Sequence, residues 1–274
     1  MSQKTRRTTQ PIAWAILVFA LIGAVVAWFL LDPGFRSERS TESVAGDMPQ
    51  DEFDRRVHDY LLANPEVIVE AVQRLKARQQ TAEEGEGQTV LAERGEEVFR
   101  DPASPVGGNL EDDVTLVEFF DYNCPYCRRV APVMLEAEAT DPQLRIVYKE
   151  FPILGPDSKF AAKAALAAHR QGRYAPFHKA LMQAEGAVDE ALVLAVAAEV
   201  GLDLERLKAD MQDPGIAQAI DRNLELAVAL RINGTPGFVV GKQILRGAAD
   251  LATLQELIRQ ARADAAEEPS GQGN

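Results

Sequence analysis

The sequence predicts an α/β domain, preceded by a helical arm and, before that, a transmembrane helix. Two observations carry the α/β assignment. Runs of β-branched and aromatic residues at 114–120 ("VTLVEFF") and 144–153 ("LRIVYKEFPI") flank a segment with helical spacing, "CRRVAPVMLEAEAT". This order and the length of the crossover predict a parallel β–α–β unit. A helical block and a final hairpin follow it along the chain.

Charge and composition exclude one class of partner. Of the 274 residues, 46% are hydrophobic and 26% are charged, which is typical of a globular chain with a sizeable core. The formal net charge is -13, and phosphate backbones would repel such a protein. We therefore expect no nucleic-acid partner.

The first 31 residues predict a membrane anchor. A basic tip, residues 1–10, contains Lys4, Arg6 and Arg7. The uncharged run at 11–31, "PIAWAILVFALIGAVVAWFLL", is long enough to cross a bilayer core of about 30 Å. Basic residues before such a span place the N-terminus in the cytoplasm. We expect a single-pass protein of the cell inner membrane whose remaining residues lie in the periplasm.

The alternative for this segment is a cleaved signal peptide. Such a peptide normally has an apolar stretch of about 7–15 residues and a cleavage site with small side chains. Bulky residues from Trp28 to Leu31 stand where small ones would be needed. The pattern therefore favours the uncleaved anchor.

A helical arm is predicted between two flexible segments. Residues 32–50 are polar and contain Gly, Pro and Ser, as in a linker, and residues 81–92 begin with the hinge-like stretch "TAEEGEGQ". Between them, residues 51–80 have apolar side chains at helical spacing with a break at Asn64-Pro65, which predicts two amphipathic helices. Because the apolar stripe must be buried, the arm either docks onto the main domain or binds a second copy of itself.

Residues 93–265 are predicted to form the main domain. Its helical block spans about 157–232, with Ala-rich segments separated by glycines. The run "TPGFVVGKQILRG" then predicts a hairpin whose turn lies near Gly241-Lys242, followed by a last helix. Residues 266–274 are expected to form a disordered tail.

The chain has two cysteines, Cys124 and Cys127, which lie three positions apart after the first predicted strand. Cys124 would sit at the N-terminus of the next helix, where unpaired N–H groups and the helix dipole stabilise a thiolate, the nucleophilic form. Cys127, one turn later, would be the resolving thiol that attacks Cys124 in a mixed disulfide. Pro125 suits the first helical turn because its missing N–H is not needed there.

Three other roles for the pair are alternatives to redox exchange. A structural zinc site needs four ligands, and the three histidines lie in helical contexts without a second cysteine pair. A static disulfide would close too small a loop to add much stability. Binding of a soft metal such as Cu(I) stays open, because a dithiol suits it. Otherwise we expect no metal and no cofactor.

A proline far along the chain is a second candidate site residue. Thr235-Pro236 stands just before an apolar strand. A proline there marks a strand edge or a cis peptide bond. An ordinary turn proline is the alternative.

Three motifs in this order, "VEFFDYNCPYC", "YKEFPILGPDS" and "NGTPGFVVG", resemble the DsbA family of thiol–disulfide oxidoreductases over roughly residues 95–265. The resemblance implies a thioredoxin-like fold with an inserted helical domain. It also implies that Cys124 is the attacking and Cys127 the resolving cysteine. By the same resemblance, Pro236 is a cis-proline that faces the sulfur atoms, and Thr235 offers backbone groups to an extended substrate.

In this family, an acidic residue at the position of Glu118 acts on proton transfer to or from the buried cysteine. A carboxyl group in an apolar strand should have a raised pKa, which suits a proton acceptor. A solvent-facing glutamate is the alternative, and Lys149 is a candidate ion-pair partner. We expect Pro125 and Tyr126, which lie between the cysteines, to contact substrate.

The arm "VHDYLLANPEVIVEAVQRL", together with "FFDYNCPYC", is similar to ScsC-like members of the family, whose N-terminal segments can assemble the protein into oligomers. We expect a membrane-tethered periplasmic oxidoreductase that introduces or exchanges disulfides in unfolded or partly folded exported proteins. A membrane redox partner would then restore its active form. The alternatives are a homo-oligomeric isomerase or reductase and a non-enzymatic Cu(I)-binding or peptide-binding module.

Overall fold

The computed structural model describes residues 48–110 and 114–267, in two units whose boundary lies between Val69 and Glu70. The predicted transmembrane helix at 11–31 lies outside these residues. Within the described ranges, no helix combines the length and the apolar character that a bilayer crossing requires.

The first unit consists of helix α1, Gln50–Ala63, and the beginning of helix α2, Glu66–Glu93. The break predicted at Asn64-Pro65 is confirmed, and the N–H of Asn64 closes α1 by donating to the main-chain oxygen of Tyr60 at 2.9 Å. None of the α1 side chains is buried. The apolar side chains predicted for the arm are therefore largely solvent-exposed on α1 itself.

The flexible hinge predicted at 81–92 is wrong, because α2 continues through it as helix to Glu93. Packing explains the difference. Gly87 is buried, and a Cβ there would lie 2.9 Å from the main-chain oxygen of Leu230. Leu91 is buried on the same helix. Glycine thus permits close approach of this part of α2 to the core, which offsets its low helix propensity.

The second unit contains one five-stranded sheet with the order β1-β3-β2-β4-β5. Strands β2 and β3 are parallel, and the other pairs are antiparallel. Helix α4, Pro125–Thr140, connects β2 to β3, which confirms the predicted β–α–β unit. The short edge strand β1 was not predicted. The strands are β1 Val106–Gly108, β2 Val114–Phe120, β3 Leu144–Glu150, β4 Gly237–Val240 and β5 Gln243–Arg246.

The remaining helices surround this sheet. A short helix α3, Gly95–Phe99, precedes β1. Five helices lie between β3 and β4, in the region where the sequence predicts a helical block at 157–232: α5 Pro156–Arg170, α6 Tyr174–Gln183, α7 Glu190–Glu199, α8 Leu204–Asp210 and α9 Pro214–Ala229. Helix α10, Leu251–Glu267, ends two residues inside the predicted tail, and the rest of that tail is outside the described residues.

Both faces of the central strands are buried, which sets the direction of each side chain. Every residue of β2 and β3 is buried. Leu116 and Phe120 belong to the core cluster on the side of α4, whereas Val117 and Phe119 belong to the cluster on the side of α3 and the end of α9. Because side chains alternate along a strand, the polar residues of β2 and β3 also divide between the two faces.

Candidate active site

The two cysteines lie where the sequence predicts them, at the start of α4. Cys124 is the N-cap residue and Pro125 the first helical residue. Cys124 is 4% exposed and Cys127 0%, so the second thiol is the more buried one. Both are free thiols.

The loop that presents the cysteines is held by buried Asp121. Its Oδ2 accepts hydrogen bonds from the main-chain N–H groups of Ile153 and Leu154, both at 2.9 Å. Its Oδ1 accepts from the Ser158 hydroxyl at 2.7 Å and from the Asn123 N–H at 2.8 Å. Sequence reasoning missed this residue, although a short acidic side chain directly after a buried strand is a signal for such a turn.

The predicted proline completes the other side of the cysteine pair. The Thr235-Pro236 peptide bond is cis. Phe119 of β2 pairs with Gly237 of β4, so antiparallel pairing brings the start of β4 to the end of β2, just before the cysteine loop. The Cys124 thiol donates a 3.3 Å hydrogen bond to the main-chain oxygen of Thr235.

Glu118 faces the same side of the sheet as the cysteine helix. It is 2% exposed, which excludes the solvent-facing alternative, and burial raises its pKa to about 8. Burial also raises the pKa of the Cys127 thiol, and the nearby Glu118 carboxylate raises it further. A carboxyl group with this pKa can accept or release a proton near neutral pH.

The suggested pairing of Lys149 with Glu118 is wrong. The parallel register places Lys149 beside Phe119 and Tyr148 beside Glu118, so the ammonium group is on the opposite face. There its Nζ donates to the main-chain oxygen of Glu97 at 2.7 Å and lies 3.5 Å from Asp101 Oδ2. Burial lowers the pKa of Lys149 to about 8.

A second buried carboxyl group, Glu150, lies at the end of β3. Its Oε1 accepts hydrogen bonds from the hydroxyl groups of Tyr122 at 3.2 Å and Tyr174 at 2.9 Å. The Tyr122 oxygen is also 3.1 Å from His178 Nδ1. Burial raises the pKa of Glu150 well above its ordinary value. This cluster was not predicted, since its members come from three separate segments: the loop after β2, the end of β3 and helix α6.

Exposed apolar side chains lie on the cysteine helix and on the segment that binds Asp121. Tyr126 is 53% exposed, and the Arg129 guanidinium lies 5.2 Å from the centre of its ring. Ile153 and Leu154, whose N–H groups bind Asp121, are also exposed. Large exposed apolar side chains next to a reactive group are typical of a protein-binding surface.

Comparison with known proteins identifies the family. Residues 115–259 match the DSBA-like thioredoxin domain. The chain belongs to this family. Residues 50–82 match a second family, the N-terminal domain of the copper resistance protein ScsC.

Two solved structures, of a thioredoxin-like oxidoreductase and of an ScsC catalytic domain, are similar to this chain. A thioredoxin-like oxidoreductase from Silicibacter pomeroyi DSS-3 is 49% identical, with a TM-score of 0.61, and the match covers 61% of this chain and 97% of that one. The catalytic domain of Proteus mirabilis ScsC is 30% identical, with a TM-score of 0.59 and coverage of 64% and 98%. The predicted thioredoxin-like α/β fold is confirmed, with a mixed sheet.

Curated relatives include longer proteins. The Na(+)/H(+) antiporter NhaA of Herminiimonas arsenicoxydans is 32% identical over 171 residues, which are 60% of this chain and 27% of the antiporter. The chain thus spans about a quarter of the length of these antiporters. A probable disulfide bond formation protein D of Bacillus cereus is 26% identical, with coverage of 54% and 74%.

The DSBA-like domain therefore has a thiol at the N-cap of α4, a more buried partner thiol and a buried carboxyl group on one face of its sheet. These groups suffice for thiol–disulfide exchange, which needs a thiolate and a proton acceptor. Among the described residues, no group of three or more His, Cys, Asp or Glu side chains is placed to hold a metal ion.

Proposed function

We propose that this DsbA-like protein is a membrane-tethered periplasmic enzyme that introduces or exchanges disulfides in exported proteins through the Cys124–Cys127 pair. The observation that carries the proposal is the position of Cys124, at the N-cap of α4 and 3.3 Å from the Thr235 oxygen. The uncharged segment 11–31 supports the membrane tether, because it has the length and composition of a spanning helix.

In the oxidised enzyme, a substrate thiolate attacks the sulfur of Cys124. The Cys124–Cys127 bond breaks, and Cys127 leaves as a thiolate that takes a proton from Glu118. A second substrate thiolate then attacks the substrate sulfur of the mixed disulfide, which forms the substrate disulfide and releases Cys124 as a thiolate. Two electrons pass to the enzyme, and a membrane redox partner must remove them.

The substrate lies as an extended chain beside the cysteine loop. Main-chain groups of Thr235 next to Pro236 bind its backbone, and Pro125 and exposed Tyr126 contact side chains near its cysteine. Backbone recognition of this kind accepts many sequences, as an enzyme acting on unfolded exported proteins requires.

A specific observation favours oligomeric isomerisation as a second candidate. Residues 50–82 match the ScsC N-terminal domain, and the apolar side chains Phe53, Val57 and Tyr60 of α1 are exposed at helical spacing. Such a stripe is typical of a helix that packs against another copy. Several cysteine pairs in one assembly would suit rearrangement of wrong disulfides.

The test is mixed-disulfide trapping in cells with Cys127→Ala, with Cys124→Ala as the matched control. Cys127→Ala should accumulate adducts of exported proteins that disappear on reduction, and Cys124→Ala should accumulate none. Absence of adducts in both variants would support a non-enzymatic role. Redox titration of the full chain against glutathione then separates the two candidates. A disulfide donor should have a reduction potential of about -120 mV, and an isomerase should have a more reducing potential.

A further inference from the structure

A narrow crevice leads from buried Glu118 towards the surface between α4 and α6. Its volume is about 20 Å³, which is room for roughly one water molecule. Glu118 is buried, whereas Lys179 and Gln183 on the rim are exposed. The lining combines β2, β3, α4 and α6: Glu118, Tyr148, Ala131, Met134, Leu135, His178, Lys179, Met182 and Gln183.

The chemistry of Cys127 requires such a route. Its thiol is fully buried, yet it must change its protonation state each time the disulfide forms or breaks. Glu118 can take or give that proton only if its own proton is exchanged with solvent before the next turnover. Lys149, the neighbouring cation on β3, is on the other face of the sheet and cannot take part.

His178 is the polar side chain on the α6 wall of the crevice that also contacts the buried interior. Its Nδ1 lies 3.1 Å from the Tyr122 oxygen. Its ring stacks on Tyr174 at 5.4 Å and packs against Phe120 at 4.9 Å and Tyr148 at 4.7 Å. The ring orientation is therefore held on several sides, and Nε2 is the nitrogen left for the crevice. His178 itself is partly exposed.

We propose that this crevice is the proton path of the buried cysteine, and that His178 is its positioning residue, holding a water molecule between Glu118 and solvent. The proposal rests on the proposed thiol–disulfide exchange. Burial lowers the pKa of His178, so the ring is neutral at physiological pH and acts by hydrogen bonding rather than by carrying charge.

The proton balance is simple in both directions. When Cys127 attacks the mixed disulfide, its S–H proton goes to the Glu118 carboxylate, the new Cys124–Cys127 bond forms and the substrate leaves as a thiolate. Glu118 then passes the proton to the water beside His178 and on to solvent. In the oxidative direction, the same path supplies the proton that the leaving Cys127 thiolate takes from Glu118.

Several titratable groups surround His178, and they come from every wall of the crevice except α4. Helix α4 lines the crevice with Ala131, Met134 and Leu135, which carry no charge. The titratable groups from the other elements are Glu118 of β2, Tyr122 of the following loop, Tyr148 and Glu150 of β3, and Tyr174 and Lys179 of α6. Burial raises the pKa of Glu118 to about 8, which is close enough to neutral pH for the group to exchange its proton there.

The experiment follows two chemical steps in one reaction of the full chain in detergent. The reduced protein is mixed with a fluorescent peptide whose single cysteine is disulfide-bonded to a chromophoric thiol. The first phase releases the chromophore as Cys124 forms the mixed disulfide, and the second releases the peptide as Cys127 resolves it. Both rates are measured from pH 5 to 9 in stopped flow.

Two substitutions of His178 separate its two nitrogens. His178→Gln places an amide near the Nε2 position, and His178→Asn places one near Nδ1. We expect the His178→Gln variant to resolve the mixed disulfide at a rate within twofold of the wild-type rate. His178→Asn should resolve five- to tenfold more slowly, with the midpoint of its pH profile shifted, while the first phase is unchanged. A His178→Asn variant as fast as the wild type would overturn the proposal, since only the Tyr122 hydrogen bond would then matter.

A second pair of variants tests the crevice without touching His178. Ala131→Leu fills it from α4, and Ala139→Leu adds the same volume on an exposed position of the same helix. Only Ala131→Leu should slow the second phase. Equal rates of the second phase in the two variants would overturn the proposal that the crevice is a proton path. If the wild type shows no first phase, the proposed function fails instead, so the two failures are distinguishable.

Discussion

The Cys124 thiol donates a 3.3 Å hydrogen bond to the main-chain oxygen of Thr235, although 111 positions separate the two residues. The contact depends on the pairing of β4 with β2, which places Gly237 opposite Phe119. The position of the reactive sulfur is therefore coupled to a loop at the far end of the helical insertion. Changes in that loop should alter chemistry at Cys124 without touching α4.

Replacement of Gly237 tests this coupling. A Cβ at Gly237 would clash with Cγ2 of buried Ile232, whereas one at Gly234 would meet no atom within 4 Å. Gly237→Ala must displace the loop, so we expect a loss of about 1–3 kcal/mol in the free energy of unfolding and roughly tenfold slower mixed-disulfide formation. Gly234→Ala should change neither quantity. Denaturant unfolding and stopped-flow kinetics check both, and equal effects in the two variants would contradict the coupling.

Glu118→Gln should change how stability depends on pH. Burial raises the pKa of Glu118 from 4.5 to about 8 in the folded protein. Between these values the folded state binds more protons than the unfolded state, so stability is fully present below pH 4.5 and is lost as pH rises through 8. The loss is on the order of 4 kcal/mol by pH 8. Glutamine cannot ionise, so Glu118→Gln should remove this pH-dependent loss of stability.

The measurement is the free energy of unfolding of both proteins from pH 5 to 9, in reducing buffer. The difference between Glu118→Gln and the wild type should move in favour of the variant as the pH increases. A difference that stays constant across this range would mean that Glu118 is ionised throughout.

Local patterns predicted those parts of the site that depend on neighbours in sequence. The β–α–β unit and the N-cap position of Cys124 follow from the spacing of residues along the strands and the helix. These needed only helix geometry and strand alternation. The cis bond at Pro236 was implied by the resemblance to the DsbA family, because the residues alone also allowed a strand edge or an ordinary turn.

The rest of the site depends on register and packing between distant segments. Whether Lys149 meets Glu118 is decided by the pairing of β2 with β3, since a shift of one residue exchanges the two faces. The helical state of residues 81–92 depends on the contact of Gly87 with Leu230. The contact of His178 with Tyr122 joins residues 56 positions apart. No local pattern contains this information.

Asp121→Asn should destabilise the cysteine loop far more than the same change at an ordinary helix cap. Both oxygens of Asp121 accept hydrogen bonds, four in all, at a buried site. An amide NH₂ there would face N–H donors, at a cost of roughly 3 kcal/mol. Asp189, by contrast, caps α7 through one exposed contact with the Leu192 N–H. Asparagine caps helices equally well, so Asp189→Asn should stay within about 0.5 kcal/mol.

Thermal and denaturant unfolding of both aspartate variants give these values directly. Resolution of the mixed disulfide should also slow in Asp121→Asn, because the loop that positions Cys124 loses its anchor. Similar stability losses in the two variants would show that Asp121 is no more than a cap.

The arm offers a prediction that separates oxidation from isomerisation. Tyr60 is 58% exposed and continues the apolar stripe of Phe53 and Val57, while His58 is exposed on the same helix but off that stripe. If the stripe packs against a second copy, Tyr60→Glu buries an unpaired charge and should convert the oligomer to monomers, whereas His58→Glu should not. Light scattering of the full chain in detergent measures the mass.

If the protein is an isomerase that needs several facing sites, the Tyr60→Glu variant alone should lose activity on a substrate with scrambled disulfides. Its rate of disulfide introduction into a reduced peptide should stay unchanged. A monomeric wild type would contradict the stripe as a self-association surface and favour the simple disulfide donor.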